Sequence, residues 1–322
     1  MNTKKERIIW IDYLKFLCLC CLIIAHTSNN VLVLQIRTFD VNLLVILSAI
    51  LASNSEILNN FQYYKKRFLR LVIPTWIFIT IYLIINYFVN FQDYSSTNIL
   101  RSYLLQDNSI GYVWIIYVYL ICAIVTPFIK NYSYKNKYIL SGILLILYVI
   151  FYNCFDNYYF MIFILYPIIY SLITFVGINY EKLKKSYRII FIATCLTVFL
   201  TLFIRYYILN GDFALLNKFK YPPKIYYISY TLGISFLLIE IFKKIKFKYN
   251  RIISFVSKNS LWIYLWHILS IQIVSKMMIE NNVLKFIFVF VITIIIVFIQ
   301  QMIILFLEKR GLTKKITQYF KG

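Results

Sequence analysis

The chain has 322 residues, of which 61% are hydrophobic and only 14% charged, and its mean hydropathy is +0.74. A soluble protein carries roughly 25% charged residues, so a soluble globular fold is excluded and a polytopic membrane protein is expected. The net charge of +22 invites a nucleic-acid partner, but the placement of the charges along the chain excludes that reading.

The first predicted span, 8–28, reads IIWIDYLKFLCLCCLIIAHTS. It is about long enough to cross a bilayer, yet it carries Asp12, Lys15 and His26. A charge at mid-membrane costs roughly 2.5–3.5 kcal/mol on insertion scales, so such residues are as a rule paired or functional. Lys15 and His26 are eleven residues apart, which is three helical turns plus about 20°. They therefore share one face and lie about 16 Å apart along the axis. Asp12 precedes Lys15 by three residues, on the same stripe. Two readings fit: an Asp–Lys ion pair that pins helix packing beside an interfacial histidine, or a functional set in which His26 is a general base tuned by its surroundings. The chain holds only two histidines. The basic start MNTKKER before an apolar run imitates a signal peptide, but Asp12 and Lys15 break the run and no small-residue cleavage site follows. A retained first helix is expected.

Nine further apolar runs follow, at about 39–53, 69–91, 112–130, 137–154, 158–178, 188–209, 224–242, 252–275 and 283–308. The second is short enough to be tilted or re-entrant. Only helices satisfy the backbone in lipid at these lengths, so the expected fold is all-α with about ten transmembrane helices, forming one unit over 1–322. Placing the amino terminus in the cytoplasm puts most of the 34 Lys and Arg on the inner side. These are Lys4, Lys5, Arg7, Lys65, Lys66, Arg67, Arg70, Lys130, Lys135, Lys137, Lys182, Lys184, Lys185, Arg188, Lys243, Lys244, Lys246, Lys248, Arg251, Lys309, Arg310, Lys314, Lys315 and Lys321. The outer loops hold only Arg37, Arg101, Lys218, Lys220, Lys224, Lys276 and Lys285, while Lys15, Arg205 and Lys258 fall within spans. This asymmetry predicts that both termini are cytoplasmic. It also accounts for the basic charge as a topology signal beside anionic lipid. The longest expected extramembrane stretch, about 92–111, contains Asp93, Arg101 and Asp107 and would cap an outward cavity. No appended outer domain is expected.

Two later stretches add polar groups to apolar surroundings. In FQYYKKRFLRLVIP, Arg67 and Arg70 are three residues apart on one helical face, where two guanidiniums can fork onto phosphates. The same residues also serve as ordinary positive-inside anchors. In SKNSLWIYLWHILS, Tyr264 and His267 stand three apart, and His267 is expected at a depth like that of His26. Trp262, Tyr264 and Trp266 also read as aromatic packing. The six cysteines, Cys18, Cys20, Cys21, Cys122, Cys154 and Cys195, show no metal-ligand spacing with histidine, so they read as core residues and no metal is expected.

Taken in order, these residues resemble the integral-membrane acyltransferase 3 family, whose members modify bacterial surface glycans. The first-helix pattern of an Asp, a basic residue, ten residues and a His is matched by Asp12, Lys15 and His26. Many members have Arg where this chain has Lys15. The R-x-x-R element followed by proline is matched by Arg67, Arg70 and Pro74. A Phe…Ser-Gly segment resembles FDVNLLVILSA, with Ser48 retained and Ala49 in place of the glycine. The tryptophan at the start of span four looks like Trp114, and the late Ser…Tyr-Leu-x-His element looks like Ser260, Tyr264, Leu265 and His267.

The resemblance implies a multi-pass O-acyltransferase of the bacterial inner (plasma) membrane. It would move an acyl group, by default acetyl, from cytosolic acyl-CoA to a sugar hydroxyl of a cell-surface or lipid-linked glycan. No permanently bound cofactor is implied; acyl-CoA is a co-substrate. Lys15, Arg67 and Arg70 would bind the donor. His26, with Asp12, would be catalytic, while His267, Tyr264, Trp114 and Ser48 would serve the acceptor or a second acid/base step. The implied partners are the lipid bilayer, the glycan and proteins of glycan synthesis or export, with no nucleic acid. Two other readings suit buried charges in apolar spans: a polysaccharide exporter or flippase, and a proton-coupled transporter using Asp12, Lys15 and His26 as a relay. No internal repeat and no matching pair of interrupted helices favours the last.

Overall fold

The computed structural model describes residues 7–55, 59–90, 94–106, 113–131, 134–154, 160–311 and 317. Lys4, Lys5, Lys314, Lys315 and Lys321, on which the expected inner location of the termini partly rests, lie outside these residues, as do Asp93 and Asp107. The described chain is helical throughout, apart from loops and an isolated bridge between Lys220 and Pro223. In order the helices are α1 (Ile9–Thr27), α2 (Val31–Ile36), α3 (Asp40–Ser53), α4 (Asn60–Asn90), α5 (Ser96–Tyr103), α6 (Trp114–Asn131), α7 (Tyr134–Cys154), α8 (Tyr166–Tyr180), α9 (Lys185–Asn210), α10 (Ile225–Lys244), α11 (Arg251–Lys258), α12 (Ser260–Ser275) and α13 (Asn282–Lys309). Seven helical segments are long and apolar enough to cross a membrane. Three shorter apolar helices, Trp114–Lys130, Ile139–Tyr152 and Ser260–Ser275, fall where other spans are expected. The protein is an all-α polytopic membrane protein.

The second span differs from its sequence reading. It is longer, Val31–Ser53, and it is interrupted. A 3-10 turn at Arg37–Phe39 separates α2 from α3. Two local bonds shape that break. The Thr38 hydroxyl engages the carbonyls of Leu34 (2.7 Å) and Gln35 (2.8 Å), and Arg37 Nη1 donates to Asp40 Oδ2 at 2.7 Å. Arg37 is therefore buried beside a fully buried Asp40, and does not stand in an open outer loop as its charge suggested. An ion pair folded over three residues is how a charged segment of this kind tolerates burial.

α1 and α3 form the centre. α1 packs against α3, α10, α11, α12 and α13, and α3 against α1, α6, α8 and α10. The buried faces carry Leu14, Cys18, Leu19 and Leu22 from α1 and Leu43, Val45, Ile46 and Leu47 from α3. The cysteines Cys18, Cys21 and Cys122 are buried among them. α9 lies at the periphery. It buries only Ile192, while Ile189, Ile190, Leu200, Ile204 and Ile208 are exposed, as a lipid-facing helix requires. Contact between α3 and α8 is close. A Cβ at Gly177 would sit 2.7 Å from Ala49 Cβ and 3.3 Å from the Ile46 carbonyl oxygen. Ala49 is the residue that departs from the family-like Ser-Gly segment, and Gly177 makes room for its methyl group.

One end of the bundle is strongly basic and tied together by its charges. Lys130, at the end of α6, donates to the carbonyls of Ala52 (2.8 Å) and Ser55 at the end of α3. Glu181, after α8, and Glu240, in α10, are bridged by Arg188 and Lys243. Side-chain caps start several helices: Asn30 for α2, Ser95 for α5, Asn250 for α11 and Asn281 for α13. Each is worth about 1 kcal/mol.

Candidate functional site

A cavity of about 270 Å³ opens among α1, α3, α4, α6 and α12. Its wall includes Lys15, Ser48, Arg67, Arg70, Ser260 and Tyr264, and three of these are cations. Its described lining contains no carboxylate. Three cations gathered without an acidic counterpart in a partly apolar wall are matched best by an anionic ligand, and phosphate accepts the forked geometry of arginine. The Arg67 guanidinium lies over the Tyr63 ring, 5.2 Å from its centroid, which orients it at the cavity edge.

The prolines of this wall have a physical role. Pro74 lies within α4, four residues after Arg70. It has no N–H, so the Arg70 carbonyl loses its helical donor. Pro127 in α6 does the same to the carbonyl of Ala123, another cavity residue. Each helix thus leaves the carbonyl of a cavity-lining residue without its helical donor, a pattern tolerated at membrane depth near a cavity.

Asp12 is not paired with Lys15. Its carboxylate is bound by Arg7 and accepts from Ser257 Oγ at 2.6 Å. Arg7 also donates to the Ser254 carbonyl at 3.0 Å, so the trio clamps the start of α1 onto α11. Asp12 and His26 are fourteen residues apart, about 21 Å along a helix axis. The carboxylate therefore lies beyond reach of the imidazole.

His26 meets the chain's second histidine. The two rings have centroids 5.6 Å apart and are tilted by 40°. His267 is fully buried, and its Nδ1 is hydrogen-bonded to the Tyr264 carbonyl. A carbonyl only accepts, so Nδ1 carries the proton and Nε2 is the basic nitrogen of the neutral ring. The Tyr264 ring, 5.6 Å from that of His267, also lines the cationic cavity. Cavity, Tyr264, His267 and His26 thus form a continuous series from the basic end toward the other.

The remaining sequence candidates divide. Ser48, grouped by sequence with acceptor-side residues, lies in the cationic cavity wall with Lys15, Arg67 and Arg70. Trp114 does not line that cavity. Its ring lies 5.3 Å from the Lys220 ammonium, 5.4 Å from the Tyr221 ring and 6.4 Å from the Tyr166 ring. Sequence reading missed Lys220, Arg37 and Asp40 as site residues. The Arg37-x-x-Asp40 spacing within an apolar run was a usable signal for the first pair. Nothing local marks Lys220, because a loop far along the chain brings it to the site.

The family model described as an acyltransferase domain matches residues 8–301. No curated protein and no solved structure matches the chain.

Proposed function

The chain belongs to the acyltransferase 3 family, and on that premise we propose that it moves an acyl group from cytosolic acyl-CoA to a sugar hydroxyl of a cell-surface or lipid-linked glycan. The observation that carries this reading is the cavity walled by Lys15, Arg67 and Arg70, which ends at Tyr264 beside the His26–His267 pair. A phosphate-bearing donor enters at the basic end and is held by Arg67 and Arg70. Its acyl-bearing arm extends past Lys15 and Ser48 toward Tyr264. The acceptor hydroxyl arrives from the opposite end. His26 takes its proton, the hydroxyl oxygen attacks the thioester carbonyl, and the CoA thiolate leaves and is protonated. His267 lies within one ring's reach of His26 and supplies a second acid/base group. Asp12 acts by position: its clamp with Arg7 and Ser257 sets the register of α1, and so the placement of Lys15.

The basic end would face the cytoplasm of a bacterial cell, in agreement with the lysines and arginines at the ends of α6 and α10 and the starts of α4 and α9. The bilayer, the glycan and proteins of glycan synthesis or export are the proposed partners. Acetyl is the acyl group proposed, with acetyl-CoA the co-substrate and no permanently bound cofactor.

The test is mass spectrometry of surface glycans from cells lacking the chain, rescued with the natural sequence or with His26→Ala. Return of an acyl-sized mass increment only with the natural sequence supports acyl transfer. A change in glycan quantity with an unchanged mass per repeat overturns it in favour of export.

A further inference from the structure

The loop between α9 and α10 folds inward over the end of the bundle that holds His26. It leaves α9 at Gly211, whose φ of 71° closes the helix with a left-handed turn. Leu216 N–H then donates to Gln35 Oε1 at 2.8 Å, and Tyr148 Oη donates to the Pro223 carbonyl. Between these anchors Lys220 is 8% exposed. Among the described residues its ammonium has neither hydrogen bond nor ion pair; it lies 5.3 Å from the centroids of both Trp114 and Tyr221. Burying a lysine with no carboxylate at ion-pair distance among the described residues is costly, and two aromatic faces offset only part of that cost, so the ammonium is open to an anionic partner. Two neighbours point the same way. Arg37 is 9% exposed and spends Nη1 on Asp40, yet its buried Nε has no partner among the described residues. The Tyr227 hydroxyl, fully buried and within electrostatic reach of Asp40, Arg37 and Tyr221, is likewise unpartnered there. Arg37, Asp40 and Lys220 together carry one excess positive charge. The Arg37–Phe39 turn packs against α1, the helix that carries His26.

We propose that Arg37 and Lys220, framed by Trp114 and Tyr221, form an acceptor subsite for a sugar that carries a negative charge, a carboxylate or a phosphate, close to the hydroxyl presented to His26. The subsite rests on the acyl-transfer reading for its purpose, but its recognition chemistry is independent of it. The anion completes the hydrogen bonding of the ammonium and of the guanidinium Nε, beside the rings of Trp114 and Tyr221. Asp40 holds the guanidinium in place and leaves the net charge positive. A neutral sugar would leave both cations as they are and gains nothing from them.

The experiment uses the purified full chain and three oligosaccharides of equal length: one with a glucuronic acid unit, one with a phosphorylated sugar, one neutral. Binding and acyl transfer from acetyl-CoA are measured in the same samples. A charged oligosaccharide is expected to bind at least about tenfold tighter than the neutral one, the size of a charge-assisted hydrogen bond. Which charged arm wins identifies the anion. Lys220→Met removes the preference, and Lys220→Arg keeps most of it, which separates loss of charge from loss of fold. Equal binding of charged and neutral sugars, or an undiminished preference in Lys220→Met, overturns the subsite. Lys220-dependent binding without any acyl mass gain overturns acyl transfer and leaves the subsite standing.

Discussion

The imidazoles of His26 in α1 and His267 in α12 stand with ring centroids 5.6 Å apart, and the Tyr264 carbonyl holds His267 by its Nδ1. These are the only histidines of the chain. Their meeting places two groups suited to proton transfer at the junction between the cationic cavity and the Lys220 cluster. His26→Ala is expected to abolish acyl transfer while the protein remains in the membrane at its usual level. His267→Ala is expected to lower kcat by about 10²–10⁴, the usual contribution of a positioned acid or base. Turnover assays beside a membrane-fraction immunoblot check both; wild-type turnover in His26→Ala removes that residue from the centre of the reaction.

Arg67 and Arg70 line the cavity with Lys15 and, among the described residues, no carboxylate. A hydrogen bond to a charged group contributes about 1.5–3 kcal/mol, so Arg67→Ala or Arg70→Ala is expected to raise the acyl-CoA KM by about 10–100-fold. Increasing salt should weaken donor binding in the natural protein more than in either variant. Donor titrations at two ionic strengths decide the matter, and an unchanged KM in both variants places the donor elsewhere.

Gly177 and Ala49 fit as a pair. Gly177→Ala would bring a methyl group to 2.7 Å from Ala49 Cβ and 3.3 Å from the Ile46 carbonyl oxygen. Overpacking of this kind costs about 1–3 kcal/mol, and the atoms that must yield are a Cβ and backbone. The expected result is a lower unfolding temperature in detergent, with recovery in the double variant Gly177→Ala/Ala49→Gly. Equal stability of the single and double variants would show that α3 and α8 separate freely.

The clamp at the start of α1 has its own signature. Asp12→Ala strips Arg7 and Ser257 of their shared acceptor. Removing a partner from a partly buried network of this kind costs about 1–3 kcal/mol. Ser257→Ala should reproduce part of that loss, and combining the two should add little, because both act through one hydrogen bond. A double-mutant cycle on thermal unfolding reads the coupling; full additivity would contradict the shared bond.

Lys220 lies in a loop outside the membrane spans, and burial pushes its ammonium down from 10.5 to about 8, with Asp40 opposing the shift and Arg37 reinforcing it. The unfolded chain therefore binds more protons than the folded one between those two values. Fold stability from this residue rises as pH climbs from about 8 toward 10.5. Binding of an anionic acceptor runs the other way, because the ammonium is lost above about 8. Thermal unfolding and acceptor KM measured across this window, with Lys220→Met lacking both trends, test the assignment. A wild-type profile that coincides with that of the variant refutes it.

Much of this protein was legible without its fold. Apolar runs interrupted by short polar breaks dictate helices, because lipid offers the backbone no other partner. The stripe of Asp12, Lys15 and His26, and the Arg67-x-x-Arg70…Pro74 element, could be read because helical spacing is local and regular. Charge counting assigns loops to a side of the membrane and carries no sign that Arg37 and Lys220 are buried, since a count of loop charges assumes that loops remain in water. The meeting of His26 with His267, the release of Asp12 from Lys15 to Arg7 and Ser257, the room that Gly177 leaves for Ala49, and the inward fold that buries Lys220 were decided by the tertiary structure alone. Each depends on how segments far apart in the chain pack side by side, and periodicity along one segment carries no information about which face of another it will meet.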